Sequence, residues 1–223
     1  EAAAFRSARG RGVSGYGEPT GSFDLHLPIM SLPAVIGVDT QKASNDLIPY
    51  LTAPACGLPP KVEGSGLKVG IVWRGSCINL KGMFRSCRLE EFASIISVND
   101  CRFYSLQFDA EDPEKEILDH FGIADLSDYI SDFADSAAYT HSMDLVITVD
   151  TAQAHLAGAL GVPVWTLLAR GADWRWFLNR DDSPWYPTMR LFRQETRNDW
   201  RHPISRIAAE LPRFLASLRQ RTR

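Results

Sequence analysis

The sequence lacks any long apolar run and any strong charge of one sign. No apolar stretch approaches the ~20 residues that a membrane-spanning helix needs, and the first residues, EAAAFRSARGRG, lack the apolar core of a signal peptide. The 24 basic and 27 acidic residues nearly cancel, so no overall field would recruit nucleic acid or anionic lipid. We therefore expect a cytoplasmic protein with no membrane span and no nucleic-acid partner.

Cysteine is also scarce, and its spacing does not suit a metal site. The four cysteines form no CxxC pair and have no histidine at metal-ligand spacing. The sequence contains no Asp-x-Asp motif either. We predict no metal and no cofactor. With 223 residues, 45% of them hydrophobic, the chain is long enough to bury a core without disulfides.

Composition divides the chain into three parts. Residues 1–22 begin without methionine and are rich in Gly, Ser and Arg, so we expect a flexible linker or tail. Residues 23–66 contain a predicted extended segment at 25–32 and end in a Pro/Gly-rich hinge, CGLPPKVEGSG. The main domain is predicted over residues 67–223.

Within the main domain, apolar runs of strand length alternate with amphipathic stretches of helix length. This alternation is typical of a parallel sheet with crossover helices. Strands are predicted at 67–73, 103–106, 123–126, 144–149, 164–168 and 189–192. Helices are predicted at 89–98, after 113, at 133–143 with Asp132 as the cap, at 151–160 and at 203–218. The fold class is therefore α/β, with a doubly wound, Rossmann-like parallel sheet.

The loop after the fourth strand is the strongest candidate site. Ligands of open α/β sheets bind outside the carboxyl ends of the strands. Asp150 ends the strand and Thr151 stands at the N-cap of a helix, whose free N–H groups and dipole attract anions. His155, four residues later, lies on the same helix face. Because Asp and Thr cap helices in many α/β proteins, spacing alone leaves both phosphate binding and simple capping open.

A family resemblance adds to this interpretation. The string DLVITVDTAQAHLAGALGVPVW resembles the signature of family 9 (heptosyltransferase-like) glycosyltransferases. The blocks VGIVWRGS, FYSLQ, ISDFAD and DWRWFLNRDDSPWYPTMRLFRQ resemble the branch of this family that follows tetratricopeptide repeats. These enzymes have the GT-B fold, in which two Rossmann-like domains face each other across a cleft. The resemblance implies that this chain corresponds to the C-terminal domain, which holds the nucleotide-sugar donor.

The resemblance also assigns roles to residues on two loops. It implies that the donor diphosphate is surrounded by Asp150, Thr151, Ala152 and His155. The loop after the first strand is expected to reach the same phosphates through Arg74, Gly75 and Ser76. Lys81 or Arg85 is expected to add positive charge to this site.

Two further loops are expected to contact the rest of the donor. The resemblance implies that Gln107 contacts the ribose and that Phe133 lines the base. Asp173 and Trp174 directly follow the fifth strand, where they are candidates for sugar contacts. The aromatic residues of DWRW and SPWYP either stack on sugar rings or build a loop core, and the sequence favours neither.

The reaction implied by the resemblance is an inverting, metal-independent glycosyl transfer to an acceptor hydroxyl. The general base is expected on the N-terminal domain, of which LHLPIMSLP resembles only the final segment. We therefore expect this chain to bind the donor without catalysing transfer, and the sequence identifies no catalytic residue and no acceptor. The alternatives are a non-catalytic nucleotide or nucleotide-sugar binding module, and an epimerase or hydrolase on the same fold.

Overall fold

Six parallel strands organise the computed structural model, which describes residues 22, 24–28, 31–37, 48–54, 62, 66–75 and 80–221. The strands are β1 Leu67–Val72, β2 Cys101–Ser105, β3 Ala124–Asp125, β4 Leu145–Val149, β5 Val164–Leu168 and β6 Met189–Arg193. Their order in the sheet is β3-β2-β1-β4-β5-β6. Because the chain starts in the middle and builds outward on both sides, the predicted doubly wound, Rossmann-like sheet is confirmed.

Seven helices lie among the described residues. They are α1 Leu32–Val35, α2 Leu80–Arg85, α3 Ala93–Ile96, α4 Asp112–His120, α5 Phe133–His141, α6 Ala152–Ala159 and α7 Arg201–Arg221. Short 3-10 turns occur at Leu89–Phe92, Ser127–Tyr129 and Trp174–Trp176. The helix predicted at 89–98 is thus a 3-10 turn that continues into α3. In the described part of the chain, no helix is both long and apolar enough to cross a membrane.

The two faces of the sheet carry separate apolar cores. Successive strand residues point to opposite faces, so Val146 belongs to one core and Ile147 to the other. Helices α5 and α6 cover the first face through residues such as Tyr139 and Ala157. The second face is covered by α3, α4 and α7, through Ile95, Leu118 and Ile207. Burial on both faces explains why every residue of β4 and β5 is buried.

Local capping residues fix the starts of α5 and α6. The Asp132 carboxylate accepts hydrogen bonds from the backbone N–H groups of Ala134 and Asp135, at 2.7 and 3.0 Å, which confirms it as the cap of α5. The Thr151 hydroxyl accepts from the Gln153 N–H at 3.2 Å and starts α6. Gly161, at φ +74°, follows the end of α6 in the left-handed conformation that glycine adopts readily.

The prediction of an extended segment at 25–32 is wrong at its C-terminal end, because Leu32 begins a helix. Residues 25–28 have no regular structure, and Leu32–Val35 form one helical turn with proline in its first turn. Leu25 is 91% exposed. Farther along, the N–H groups of Tyr50 and Leu51 both donate to the Ala159 carbonyl, which fastens residues 48–54 to the end of α6.

Candidate functional site

A cleft of about 310 Å³ opens at the carboxyl edge of the sheet. It is lined by residues from the loops that follow β4, β5 and β6 and by the end of α2, namely Phe84, Arg85, Asp150, Ala169, Arg170, Gly171, Ala172, Asp173, Gln194, Arg197 and Asn198. This is the edge where open α/β sheets bind their ligands. Of the predicted site residues, the cleft brings together Arg85, Asp150 and Asp173.

The N-terminus of α6 stands next to Asp150. Ala152 is exposed and Thr151 is partly exposed, so the first turn of the helix is open to solvent. A Cβ atom placed on Gly75 would lie 3.7 Å from Thr151 Cγ2, which shows that the loop after β1 contacts the loop after β4. The predicted meeting of these two loops is therefore present, with the positive end of the α6 dipole beside the cleft.

Asp150 and Arg85 form the charged pair at the inner wall of the cleft. The Asp150 side chain is 3% exposed, and its Oδ2 lies 3.5 Å from Nη1 of Arg85. Asp150 is thus paired with Arg85, and its expected place around the donor diphosphate stays a prediction. The Arg85 side chain is 34% exposed and lines the cleft, where a guanidinium with five N–H donors can serve both Asp150 and a ligand.

His155 lies in α6 between two aromatic rings. Its imidazole stacks on Trp176 with ring centroids 5.0 Å apart, and its Nδ1 lies 3.1 Å from the Tyr186 hydroxyl. Burial lowers the pKa of His155 below its usual value, opposed by the nearby Asp150 carboxylate. The imidazole is therefore mostly neutral at pH 7. His155 is not among the described residues that line the cleft.

The Arg74 guanidinium is engaged away from α6. It forms ion pairs with Asp109, Glu111 and Glu114 at 3.2, 3.6 and 3.0 Å. Burial alone would raise the pKa of Glu114, but hydrogen bonds from Arg74 and Trp73 outweigh it and hold the pKa below its usual value. A phosphate contact by Arg74 stays a prediction, and three carboxylates already hold this guanidinium.

Gln107 braces the same loop. Its Oε1 accepts from the Arg74 N–H at 3.1 Å, and its Nε2 donates to the Arg74 carbonyl at 3.1 Å and to Asp109 at 2.6 Å. Gln107 is buried, so the structure gives it a role in holding the loop after β1. Phe133, at the start of α5, is 53% exposed. The predicted ribose and base contacts of these two residues stay predictions.

Ser76 lies outside the described residues, as does the side chain of Lys81.

Beside the cleft, Asp173 and Trp174 line a second, mostly apolar hollow, which runs from Ala172 to Arg180. Trp174 is 58% exposed and meets Trp185 edge to face, with ring centroids 6.5 Å apart. The aromatic residues of DWRW and SPWYP thus divide between a loop core, which holds the buried Trp176, and an exposed surface, which holds Trp174.

Sequence reasoning missed four polar residues of the cleft, namely Arg170, Gln194, Arg197 and Asn198. Gln194 directly follows β6, and its Oε1 accepts from the N–H groups of Arg170 and Asn198, at 3.1 and 3.2 Å. Arg170 directly follows Ala169 after β5, and the Arg197 guanidinium stacks 4.9 Å over the Phe84 ring. Their position just beyond strand ends was the available signal, because such loops meet at one edge of a parallel sheet.

No protein-family model matches the chain. Protein FlbA of Caulobacter vibrioides is 29% identical over 159 residues, which cover 69% of this chain and 26% of FlbA. The E. coli ADP-heptose LPS heptosyltransferase II structure aligns at a TM-score of 0.47 and 12% identity, over 70% of this chain and 49% of that one. E. coli heptosyltransferase WaaC with ADP aligns at 0.44 and 15%, over 72% and 46%. The chain spans about a quarter of FlbA and about half of these heptosyltransferase chains.

Proposed function

We propose that residues 67–221 bind a nucleoside-diphosphate sugar at the carboxyl edge of the sheet, as the donor-binding domain of an inverting, metal-independent glycosyltransferase. One observation carries the proposal: three arginines line one cleft, and α6 begins beside it, directly after the lining residue Asp150. Such an arrangement suits an anion with several charged oxygens, since guanidinium groups and free helix N–H groups both donate to phosphate.

The charge balance of the lining supports an anionic ligand. The cleft contains the arginines Arg85, Arg170 and Arg197 and the acids Asp150 and Asp173. Asp150 is buried and paired with Arg85, whereas the Asp173 side chain pairs with Arg175 at 3.2 Å. Each of the two acids thus has an arginine partner, and Arg170 and Arg197 add positive charge that attracts the ligand.

The sequence supports a nucleotide sugar over a simple phosphate. The string from Asp144 to Trp165 resembles the donor-binding signature of family 9 glycosyltransferases, and it forms β4, α6 and the start of β5 around the cleft edge. In an inverting transfer, an acceptor hydroxyl attacks the anomeric carbon and the nucleoside diphosphate departs. The arginines and the α6 dipole would stabilise the charge that develops on that leaving group.

The acceptor site and the general base are assigned to a second domain that faces the donor site. We propose that the acceptor site and the general base lie outside residues 67–221, on an N-terminal domain of the whole protein. General-base catalysis is typically worth ~10²–10⁴-fold, so a donor domain without that base should bind the nucleotide sugar and transfer negligibly.

Calorimetry tests donor binding directly. The chain is titrated with UDP, ADP, GDP and CDP and with the matching monophosphates, and we expect one diphosphate to bind best. Arg85→Ala and Arg197→Ala should each weaken that binding by ~1.5–3 kcal/mol, the range for hydrogen bonds to charged groups. Arg219→Ala is the matched control. Arg219 pairs with Asp100 at the amino end of β2, whereas the cleft lies at the carboxyl ends of the strands.

Two results would contradict the proposal. The first is that no diphosphate binds, and the second is that Arg219→Ala weakens binding as much as Arg85→Ala. Incubating the chain with the sugar form of the best diphosphate addresses the rival reactions. Rapid hydrolysis or epimerisation by this chain alone would favour a hydrolase or an epimerase, whereas binding without turnover fits a donor domain.

A further inference from the structure

Helix α6 carries a glycine where a tyrosine from a distant loop enters. Gly158 is three residues after His155 and therefore lies on the same helix face. A Cβ atom at Gly158 would lie 2.4 Å from Tyr186 Cγ, far inside the normal carbon–carbon contact distance. The bare backbone at this position is what lets the Tyr186 ring lie against α6 and reach His155.

The His155 ring is held on two sides. Trp176, fully buried, stacks on it with an interplanar angle of 17°, and Tyr186 packs on it at a centroid distance of 5.8 Å. The Tyr186 hydroxyl lies 3.1 Å from Nδ1. A ring packed between two aromatic side chains and held by one hydrogen bond keeps a single orientation, and no hydrogen-bond partner of Nε2 lies among the described residues.

A second tyrosine extends the contact. The Tyr50 hydroxyl lies 3.5 Å from the Tyr186 hydroxyl, and the Tyr50 N–H donates to the Ala159 carbonyl at the end of α6. Burial, helped by this contact with Tyr50, raises the pKa of Tyr186, so its hydroxyl keeps its proton. The three side chains form a line from half-exposed Tyr50 through Tyr186 to His155.

Charged groups of both signs lie around His155. The charges that act on it are two acids and two arginines, namely Asp150, Asp173, Arg85 and Arg175. Their effects on His155 have opposite signs and partly cancel. The contact that can select a tautomer is the hydrogen bond at Nδ1, in which the Tyr186 hydroxyl can act as donor or as acceptor.

We propose that Tyr186 is a positioning residue that donates to Nδ1 of His155, so that Nε2 carries the proton and can donate to a nucleotide phosphate bound at the N-terminus of α6, one helical turn before His155. Tyr50 completes the relay by donating to the Tyr186 oxygen. This inference rests on the proposed donor site. It gives residues 48–51 a part in arranging that site, although they precede the domain that holds the ligand.

Nitrogen NMR of the labelled chain, without ligand and at slightly alkaline pH, tests the tautomer. The His155 signals are identified by their loss in His155→Ala. We expect a pyridine-like Nδ1 and a pyrrole-like Nε2 in the unmodified chain, and a shift toward a mixture of tautomers in Tyr186→Phe. Tyr50→Phe should give a smaller shift in the same direction. Tyr129→Phe, which removes a hydroxyl beyond β3 at the far edge of the sheet, should leave both signals unchanged.

Binding of the best nucleoside diphosphate is then measured for the same variants. We expect Tyr186→Phe to weaken it about three- to tenfold and Tyr129→Phe to leave it unchanged. A pyrrole-like Nδ1 in the unmodified chain, or a tautomer that Tyr186→Phe does not move, overturns the inference. Because the tautomer is read without ligand, these outcomes differ from a failure of the proposed function, which appears as no diphosphate binding by any form of the chain. Thermal unfolding confirms that each variant is folded.

Discussion

Replacing Gly158 with alanine tests the packing that joins α6 to the Tyr186 loop. In a helix, this change alone is favourable by ~1 kcal/mol, because glycine is a poor helix former. Here the new methyl group would lie 2.4 to 2.9 Å from three Tyr186 atoms, and Tyr186 is only 7% exposed. The helix backbone cannot move aside, so the ring must shift, and its burial makes that shift costly.

The expected loss follows from these contacts. Overpacking a core costs ~1–3 kcal/mol, and losing the Tyr186–His155 hydrogen bond costs ~0.5–1.5 kcal/mol. After the gain in helix propensity, we expect Gly158→Ala to lower the free energy of unfolding by about 2 kcal/mol. In a chain of this length, such a loss lowers the melting temperature by ~4–8 °C.

Urea unfolding of four chains isolates the contact. Gly158→Ala is compared with the unmodified chain, and the same change is repeated in a Tyr186→Ala background, where the clash is absent. In that background the alanine should stabilise the domain by up to ~1 kcal/mol. An equal loss in both backgrounds, or a gain in the unmodified background, would refute the close packing of Tyr186 on α6.

Three other changes have expected results. His155→Ala should weaken diphosphate binding by ~1.5–3 kcal/mol without unfolding the domain; a large drop in melting temperature with unchanged binding would make His155 a core residue. Glu114→Gln should lower stability at pH 7 by ~1.5–3 kcal/mol. Because folding lowers the pKa of Glu114, its contribution is lost as the pH falls through the acid range, so the unmodified chain and the Glu114→Gln variant should converge there in urea titrations. Asp132→Ala should cost ~1 kcal/mol through the lost cap of α5, whereas Asp128→Ala, on an exposed turn, should cost little.

The sequence alone determined the elements and their order. The alternation of apolar strands with amphipathic helices is a local pattern, and it predicted β4 and β5 within one residue. The caps at Asp132 and Thr151 were also predictable, because a capping side chain bonds backbone groups two or three residues away. The edge of the sheet that holds the cleft followed from parallel strand order.

The tertiary structure decided which side chains share the cleft and where they point. Arg170, Gln194 and Arg197 come from two loops whose approach depends on how β5 and β6 pair. The Arg74 guanidinium forms ion pairs with carboxylates of the β2–α4 loop and of α4. No residue spacing near Arg74 indicated these pairs.

The contact of Tyr186 with His155 is a second example of a contact that the sequence could not indicate. These residues are 31 apart in the chain, and they meet because Gly158 leaves room for a ring between α6 and the loop before β6. In the sequence, Gly158 is one more small residue in a helix. Its role exists only when the tyrosine is in place, because packing joins residues by their distance in space, whereas sequence patterns report only their distance along the chain.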